Sequence, residues 1–545
     1  MSYLKFDKEQ LINLEYSLSK EILRSNRAGS YLSTTINGCN TRKYHGLLIC
    51  PIQDSLEEKH VLLSSLDTTI IQNNAEFNLG IHRYKGGVYE PKGHKYIRNI
   101  KFDPIPKITY RVGGVVLTQE RLLAEKEEQI LIRFTLENAN SPTILKFKPF
   151  LAFRKIHQLS KANMFANTKY KAVKNGISMK LYDGYPNLFM QFNKNVEFIP
   201  VPDWYYDIEY LKELNRGYEF LEDLFVPGYF ELTIKKGETI IFAAGIKEAK
   251  PISLKQRFTK ELKKRGGRDT FLSSLDNAAE QFIMHKGNQT DIIAGFPWYN
   301  GITRQTFISL PGLCLSLNDT KNCRKVLDTY LPFLKNGFFP DQINDKNPEF
   351  FSADAPLWFI WIIQQYFREY QNPKEIWENY GPAIKEILEA YKKSTLGYIG
   401  TTHEGLIYAE KKNTALTWMN SYVEGKPVVQ RSGLPIEINA LWYNAICFAL
   451  DLASMAGDQN FALPWEGMIK KVGKAFLNNF WNKDHEHLAD VVINGQPDWS
   501  VRPNMVIAVA MDYTPLSKEQ QKLVLSVAKK KLLTKRGLRT LSPDH

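Results

Sequence analysis

The spacing of the apolar residues changes near residue 253, and this change most restricts the folds open to the chain. Residues 20–250 alternate apolar and polar positions in short runs rich in β-branched and aromatic residues, with turn signals such as Gly113-Gly114 between them. From residue 253 onward, apolar residues recur at three- and four-residue spacing, which is the helical period. The pattern predicts a β part followed by a helical part.

The β part is predicted to be a large antiparallel sandwich over residues 1–250, because its strands follow one another at hairpin spacing. No Walker or Rossmann glycine motif occurs in the sequence, which argues against a doubly wound nucleotide fold. The predicted strands are Tyr44–Ile52, His60–Ile71, Lys107–Leu117, Gln129–Leu136, Thr143–Phe153, Leu188–Phe192 and Gly228–Ile234.

Residues 251–289 are predicted to be a helical linker, and residues 290–545 a helical domain. The helices of this domain alternate between apolar and charged amphipathic, which predicts a double ring with buried inner and solvated outer helices. One long polar segment, 394–433, interrupts them, and long structured loops are usually functional. The predicted helices are 304–317, 322–335, 354–371, 374–393, 434–456, 459–481, 503–512 and 517–533.

The formal net charge of +13 raises the question of a nucleic-acid partner. However, the basic residues are spread along the chain, and the densest runs, Lys263-Lys264-Arg265 and Lys529–Lys531, are typical of solvated helix faces. No nucleic-acid partner is therefore predicted. The aromatic share of 12% mildly favours a carbohydrate protein, because aromatic rings form platforms for sugars as well as filling cores.

The five cysteines are widely spaced and form no Cys-x-x-Cys motif, so neither a metal site nor a disulfide framework is predicted. A reducing cytoplasm fits this usage best. Residues 1–20 lack the apolar core of a signal peptide, and no apolar run approaches the ~18 residues of a membrane span. We therefore expect a cytoplasmic protein without a membrane partner.

Candidate site residues collect in loops that precede helical segments. Trp298 and Tyr299 come shortly before Arg304 and Gln305, where two aromatics and an arginine could grip a sugar ring and its hydroxyls. A capped helix with a packed aromatic is an equal alternative. In the β part, Arg42, Tyr44 and His45 lead into a strand. A structural loop is favoured there over a contribution to a substrate cleft.

Asp354 precedes an apolar helix that contains Trp358, and it is either a helix N-cap or a reactive carboxylate. Trp418 lies in the long polar segment, which suggests either a core plug or a ligand platform. Glu437 falls in the first turn of another apolar helix, where it either gains from the helix dipole or has a raised pKa suited to acid–base work. Predicted substrate contacts near it are Arg431, Asn439 and Trp442.

Hydrolysis of a glycosidic bond generally needs two carboxyl groups, one to protonate the leaving oxygen and one to activate water or attack. Asp354 and Glu437 are the best carboxylates that these motifs offer. Their separation, which would distinguish an inverting from a retaining mechanism, cannot be read from the sequence.

The run Asn40–Leu48 resembles the N-terminal signature of the bacterial glycogen debranching enzymes, and the resemblance extends over nearly the whole chain. Four later runs resemble successive motifs of that family's amylo-α-1,6-glucosidase domain: Phe296–Gly312, Asp354–Trp358, Thr417–Asn420 and Glu437–Asn444. The resemblance implies a β-sandwich followed by an (α/α)₆ toroid related to glucoamylases. It also implies inverting hydrolysis of α-1,6-linked glucose stubs in glycogen or a related α-glucan, with no metal or cofactor.

Three departures from the family pattern concern catalysis. Gln305 follows Arg304 where the family has an aspartate that clamps glucose hydroxyls. Asn420 stands where the family's Thr-Trp-Met-Asp motif supplies the general acid, and an amide cannot deliver a proton. The family's general base lies in the last toroid helices, beyond His545. If the chain is active, the resemblance requires Glu437 or Asp354 to take over proton transfer.

The helix count also leads us to expect a toroid that is incomplete at the C-terminus. About eight helices follow residue 300, whereas a closed ring of six helical hairpins needs about twelve. An open ring exposes apolar helix faces, so we expect a missing C-terminal segment or closure with a second copy of the chain. A non-catalytic glucan-binding protein is the main alternative function. A 4-α-glucanotransferase ranks below it, because no (β/α)₈ pattern occurs.

Overall fold

The structure, a computed structural model, describes residues 2–52, 58–343 and 345–545. It consists of two compact units. The N-terminal unit contains residues 1–288 and 295–300, and the helical unit contains residues 289–294 and 301–545.

The N-terminal unit is built on two antiparallel sheets, as the alternating sequence pattern predicts. In one sheet the neighbouring strands are, in order, Lys5–Asp7, Ile97–Lys101, Lys107–Val112, Val115–Leu123, Gln129–Asn138, Thr239–Gly245, Leu188–Phe192, Gly176–Met179 and Tyr170–Val173. In the other they are Glu21–Ser25, Tyr31–Thr35, Gly46–Pro51, Lys59–Gln72 (also paired with Ala75–Asn78), Thr143–Lys155, Leu221–Ile234, Glu197–Glu209, His82–Tyr84 and Val88–Glu90.

The two sheets share one apolar core, which makes the unit a β-sandwich. Phe134 of the first sheet and Phe147 of the second lie with their ring centroids 4.8 Å apart, and both side chains are fully buried. The predicted turn at Gly113-Gly114 separates two paired strands, and both glycines have positive φ (54° and 83°), which a side chain would disfavour.

Helices at the end of the N-terminal unit cover the first sheet. Phe258, from the helix Leu254–Lys263, is fully buried against residues of that sheet, including Leu122 and Ile241. The helices of this unit are Lys8–Ile12, Leu14–Leu18, Leu211–Leu214, Leu254–Lys263 and Phe271–Glu280, and a short strand, Ile283–Lys286, follows them.

The helical unit carries most of the helices predicted from the apolar periodicity. They are Thr303–Leu313, Thr320–Tyr330, Ala355–Tyr370, Pro373–Lys393, Ile436–Ala456, Gln459–Ala462, Glu466–Phe480, Asn504–Ala510 and Lys518–Lys531. Its short strands are Gln289–Ile292, Ile399–Thr401, Ile407–Ala409, Tyr422–Val423, Lys426–Pro427, Leu434–Pro435, Trp481–Asn482, His487–Leu488, Val491–Ile493, Gln496–Asp498, Leu533–Thr534 and Gly537–Leu538. Among the described helices, none has both the length and the apolar character that crossing a membrane requires.

The long polar segment 394–433 is ordered by hairpins and by contacts with the buried helix Ile436–Ala456. The strand Ile399–Thr401 pairs with Ile407–Ala409, and the Ala409 N–H donates to the Gly433 carbonyl. The segment therefore returns to the start of that helix, where several candidate site residues lie.

Candidate active site

Arg304 and Asp354 form a buried ion pair that joins the starts of two helices. The Arg304 Nε–H donates to both carboxylate oxygens of Asp354, at 2.7 Å and 2.9 Å, and the two residues are 4% and 1% exposed. The Trp358 indole N–H donates to the same carboxylate at 3.2 Å. Asp354 occupies the N-cap position of its helix, but its side chain makes no capping hydrogen bond. Its carboxylate instead fixes the arginine.

Arg431 is the centre of a second buried charge cluster. Its Nη1 and Nη2 groups donate to the two carboxylate oxygens of Glu437 at 2.5 Å and 2.6 Å, and its Nε–H donates to Asp490 at 2.8 Å. Its Nη1 also donates to the Thr417 hydroxyl at 3.2 Å. These residues are almost completely buried. Such a cluster is stable only because each charge has partners.

Burial and charge pairing shift the pKa values of Glu437 and Arg431. Burial raises the pKa of the Glu437 carboxyl above its ordinary value, with a smaller contribution from Asp490 and an opposing one from Arg431. Burial acts to lower the pKa of Arg431, but Glu437 and Asp490 outweigh it and raise that pKa. The arginine therefore stays charged and holds both carboxylates.

Trp418 is tied to the same cluster through Asn504. The Trp418 indole N–H donates to the Asn504 side-chain oxygen at 2.7 Å, and the Asn504 amide donates to Asp490 at 2.7 Å. The Trp418 side chain is half-buried, which leaves part of its ring accessible. Asn420, two residues later, is exposed.

One backbone hydrogen bond joins the two clusters. The N–H of Ala353, beside Asp354, donates to the carbonyl of Leu416, beside Thr417, at 2.9 Å. A cavity of about 340 Å³ opens alongside, and its lining includes Thr417, Met419 and Arg431. The structure thus brings Arg304, Asp354, Trp358, Trp418, Arg431 and Glu437 together in one region of the helical unit.

Asn439 and Trp442, both predicted substrate contacts, lie in the core instead. Asn439 is fully buried, and its amide donates to the carbonyls of Ile407 and Pro435 while its oxygen accepts from the Ile407 N–H. Trp442 is also fully buried and donates to the Gly405 carbonyl at 3.0 Å. Both side chains hold the segment 394–433 in place. Gln305 is exposed.

Trp298 and Tyr299 belong to the N-terminal unit, as do Arg42, Tyr44 and His45. The Trp298 ring packs edge-to-face against Tyr44 at 6.2 Å, and the Arg42 guanidinium lies 5.2 Å from the Trp298 ring centroid. Tyr299 is 58% exposed. Within that unit, Trp298 acts as a packed aromatic, as expected if the segment around it has a structural role.

His45 and Arg42 hold an acid of the same unit. The Arg42 Nε–H donates to Glu21 at 2.8 Å, and His45 Nε2 lies 3.7 Å from the other Glu21 oxygen. His45 is fully buried and accepts the Thr41 N–H at Nδ1, and burial lowers its pKa. These contacts match a structural loop.

Asp341 is a candidate site residue that the sequence reasoning missed. Its carbonyl accepts the Thr303 N–H at 3.0 Å, and its carboxylate accepts the Ser352 N–H at 3.0 Å, so it lies between the segments that carry Arg304 and Asp354. Its side chain is half-buried, and burial raises the pKa of its carboxyl. The sequence signal was only an aspartate after Pro340 in a loop.

Asp490 and Asn504 were missed as well. Asp490 stands alone among apolar residues, and Asn504 follows a proline at the start of a short helix. Nothing in the sequence around Asp490 or Asn504 indicates that either residue belongs to the same charge cluster as Glu437. Among the residues that the structure describes, no group of three or more His, Cys, Asp or Glu side chains could hold a metal ion.

Comparisons with known proteins agree with this architecture. Residues 20–241 match the family model described as the glycogen debranching enzyme N-terminal domain, and residues 277–545 match the model described as amylo-alpha-1,6-glucosidase. A crystal structure of a bacterial glucoamylase complexed with acarbose is similar, with a TM-score of 0.55 and 10% sequence identity over 95% of this chain and 79% of that chain. At that identity, the likeness concerns the fold.

The glucosidase domain places the chain in the class of glucan-processing glycoside hydrolases, and its fold is similar to that of a glucoamylase. The two family models together span nearly the whole chain. The chain belongs to the glycogen debranching enzyme family, and the predicted family and fold class are confirmed.

Proposed function

We propose that the protein hydrolyses α-1,6-glucosidic branch stubs in glycogen-like glucans. The observation that carries the proposal is the junction between Ala353 and Leu416, which unites the Arg304–Asp354 pair with the Arg431–Glu437 cluster beside an open cavity. The glucosidase family match supports the reaction type. A cytoplasmic location remains a prediction.

The proton donor is the main question of mechanism, because Asn420 is an amide. Arg304 binds both oxygens of Asp354 and Arg431 binds both oxygens of Glu437, so neither carboxyl is free to protonate a leaving oxygen in this arrangement. Asp341 is better suited, since it is half-buried beside Arg304 and its raised pKa keeps it protonated to higher pH. We assign it as the candidate acid.

The second carboxyl of an inverting mechanism activates water and lies about 6.5–9.5 Å from the acid. Asp354 and Glu437 are the candidates among the clustered carboxylates. Release of one carboxylate oxygen from Arg304 or Arg431 on substrate binding would free it for this role. Trp418 supplies an aromatic face that suits a sugar ring, because Asn504 fixes the polar edge of its indole.

Glucan binding without hydrolysis is the second candidate function. One observation that favours it is Asn420, an exposed amide at the position where the family carries its general acid. Another is that Asp354 and Glu437 are each paired with an arginine. In that case the cleft and its aromatic residues would retain the glucan while the chemistry is lost.

Incubation with a phosphorylase limit dextrin separates these functions. Free glucose released by the purified protein, with none from an unbranched maltodextrin, supports debranching hydrolysis. Binding of the dextrin by calorimetry without glucose release supports the binding protein. Neither binding nor release would contradict both.

A further inference from the structure

The proposed glucan site consists of the Arg304–Asp354 pair and the Arg431–Glu437 cluster, and the cavity beside it is basic. Three lysines line it, Lys411, Lys412 and Lys426, and no Asp or Glu is among the described residues of its lining. We refer to it as the lysine cavity. Arg431 also lines the cavity, but its guanidinium is already bound by Glu437 and Asp490. The remaining described residues of the lining are neutral.

None of the three lysines has its charge balanced by an acid within the described residues. The Lys411 ammonium lies 4.2 Å from the Phe351 ring centroid and 4.6 Å from that of Tyr398. Aromatic faces orient an ammonium group without neutralising it. Lys412 and Lys426 are exposed and form no ion pair with a described residue. Clustered unbalanced charge of one sign attracts a ligand of opposite charge.

The remaining lining suits a sugar ring. Met419, Pro427 and Val429 provide apolar surface, and Asn413, Thr414 and Gln430 provide hydrogen-bonding groups. The cavity volume of about 340 Å³ lies at the lower end of the range for small-molecule sites, about 300–1,000 Å³, so it exceeds the needs of an isolated small anion. These features together fit a hexose that carries a negatively charged group.

We propose that the lysine cavity binds a hexose bearing a phosphate monoester, with the lysine ammonium groups around the phosphate. Lysine binds phosphate as a point charge, and a phosphate monoester carries the highest charge of the common sugar substituents. Thr417 and Arg431 line both this cavity and the glucan site, so a phosphorylated glucosyl unit could occupy the cavity while the chain of the glucan lies at the site. That placement rests on the proposed function; a free hexose phosphate requires only the cavity.

Calorimetry with five ligands tests the inference: glucose 6-phosphate, glucose, inorganic phosphate, a limit dextrin that carries phosphate esters, and the same dextrin without them. The wild-type protein should bind glucose 6-phosphate, the phosphorylated dextrin, or both, on the order of 100-fold more tightly than the neutral counterpart, given the usual strength of charge-assisted hydrogen bonds. If the phosphorylated dextrin binds more tightly than glucose 6-phosphate, the cavity holds a phosphorylated unit of the substrate. If glucose 6-phosphate binds more tightly, the cavity holds a free sugar phosphate that acts as an effector.

The Lys411→Gln/Lys412→Gln/Lys426→Gln variant should lose this preference. A matched variant, Lys470→Gln/Lys471→Gln/Lys474→Gln, removes the same charge from the exposed side of the helix Glu466–Phe480 and should retain it. If loss of the Lys411 ring contacts unfolds the triple variant, the Lys412→Gln/Lys426→Gln variant replaces it.

Equal binding of phosphorylated and neutral ligands by the wild type would overturn the inference. The inference would also be overturned if the matched variant lost the preference for phosphorylated ligands as fully as the cavity variant does. Inorganic phosphate binding as tightly as glucose 6-phosphate would overturn the assignment of a sugar. Because the readout is binding, absence of glucose release from limit dextrin would contradict the proposed hydrolysis while leaving this test intact.

Discussion

The guanidinium group of Arg431 binds both carboxylate oxygens of Glu437, at 2.5 Å and 2.6 Å. It also binds Asp490, so one buried cation holds two buried anions, while the Arg502 Nε lies 3.6 Å from Asp490 as a further cation. Thr417 and Asn504 attach the Trp418 loop to this cluster. The position of that loop therefore depends on charge pairing in the core.

Replacement of Arg431 by methionine should destabilise the helical unit strongly. Two carboxylates would be left buried without their main partner, and breaking a buried ion pair in this way typically costs about 3–5 kcal/mol. The loss should be measured as the free energy of unfolding in urea near neutral pH. It should shrink in acid, because protonated carboxyl groups need no counter-charge.

The Arg368→Met variant is the matched control, since Arg368 forms an ion pair with Asp512 while its side chain is 52% exposed. Exposed pairs usually contribute at most about 1 kcal/mol. Equal losses in the two variants would contradict a special role for the buried cluster.

The broad fold could be predicted because periodicity is a local property of the sequence. The predicted helix 354–371 corresponds to Ala355–Tyr370, which ends where Gln371 adopts a left-handed conformation. The predicted helix 459–481 was wrong as one element, because it is broken between Ala462 and Glu466, around Pro464. The predicted strand Lys107–Leu117 was wrong as one element too, since the turn at Gly113-Gly114 divides it.

The site could be predicted only residue by residue. Arg304, Asp354, Arg431 and Glu437 are unusual in their local settings, but nothing local shows that each arginine takes up a carboxylate. Asn439 lies in a helix that is apolar on nearly all sides, and its polar groups are satisfied by backbone that approaches from residue 407. Such pairings depend on tertiary structure.

Replacement of Asn420 by aspartate should increase glucose release from limit dextrin. Asn420 occupies the position at which the family carries its general acid, so an aspartate there adds a proton donor to the assigned acid Asp341. In an Asp341→Asn background, which lacks the assigned acid, the gain should approach the about 10²–10⁴-fold that general acid catalysis typically contributes. The gain should appear in kcat. The Asn420→Ala variant controls for loss of the amide, and an aspartate variant no faster than the alanine variant would argue that the cleft is not otherwise competent.

Replacement of Asp341 by asparagine should lower kcat by about 10²–10⁴-fold with little change in KM, if Asp341 donates the proton. Burial raises the pKa of this carboxyl, so the wild-type rate should fall as the pH rises through that pKa and the acid is lost. The variant should lack this fall. The test is a pH profile of initial glucose release.

Asp345→Asn, an exposed change in the same loop, should keep both the rate and the profile of the wild type. An Asp341→Asn variant with unchanged kcat would remove Asp341 as the acid. A higher KM with unchanged kcat would instead indicate a substrate contact.

Replacement of Asp291 by asparagine should change how stability depends on pH. Asp291 is 3% exposed; its Oδ1 accepts the Tyr330 hydroxyl and the Ile292 N–H, both at 2.7 Å, and its Oδ2 has no partner among the described residues. Burial raises its pKa from the ordinary 3.8 to about 6. The folded protein therefore keeps a proton that the unfolded chain releases between these values.

The stabilising effect of that proton is full below about pH 4 and is lost as the pH rises through about 6. Relative to Asp291→Asn, the wild type should lose on the order of 2–3 kcal/mol of unfolding free energy between pH 4 and pH 7. Urea unfolding of both proteins at the two pH values measures this difference, with the exposed Asp484→Asn change as a control that should follow the wild type. Parallel pH dependence of wild type and Asp291→Asn would mean that the Asp291 carboxyl is already ionised in the folded protein at low pH, with its second oxygen reached by water.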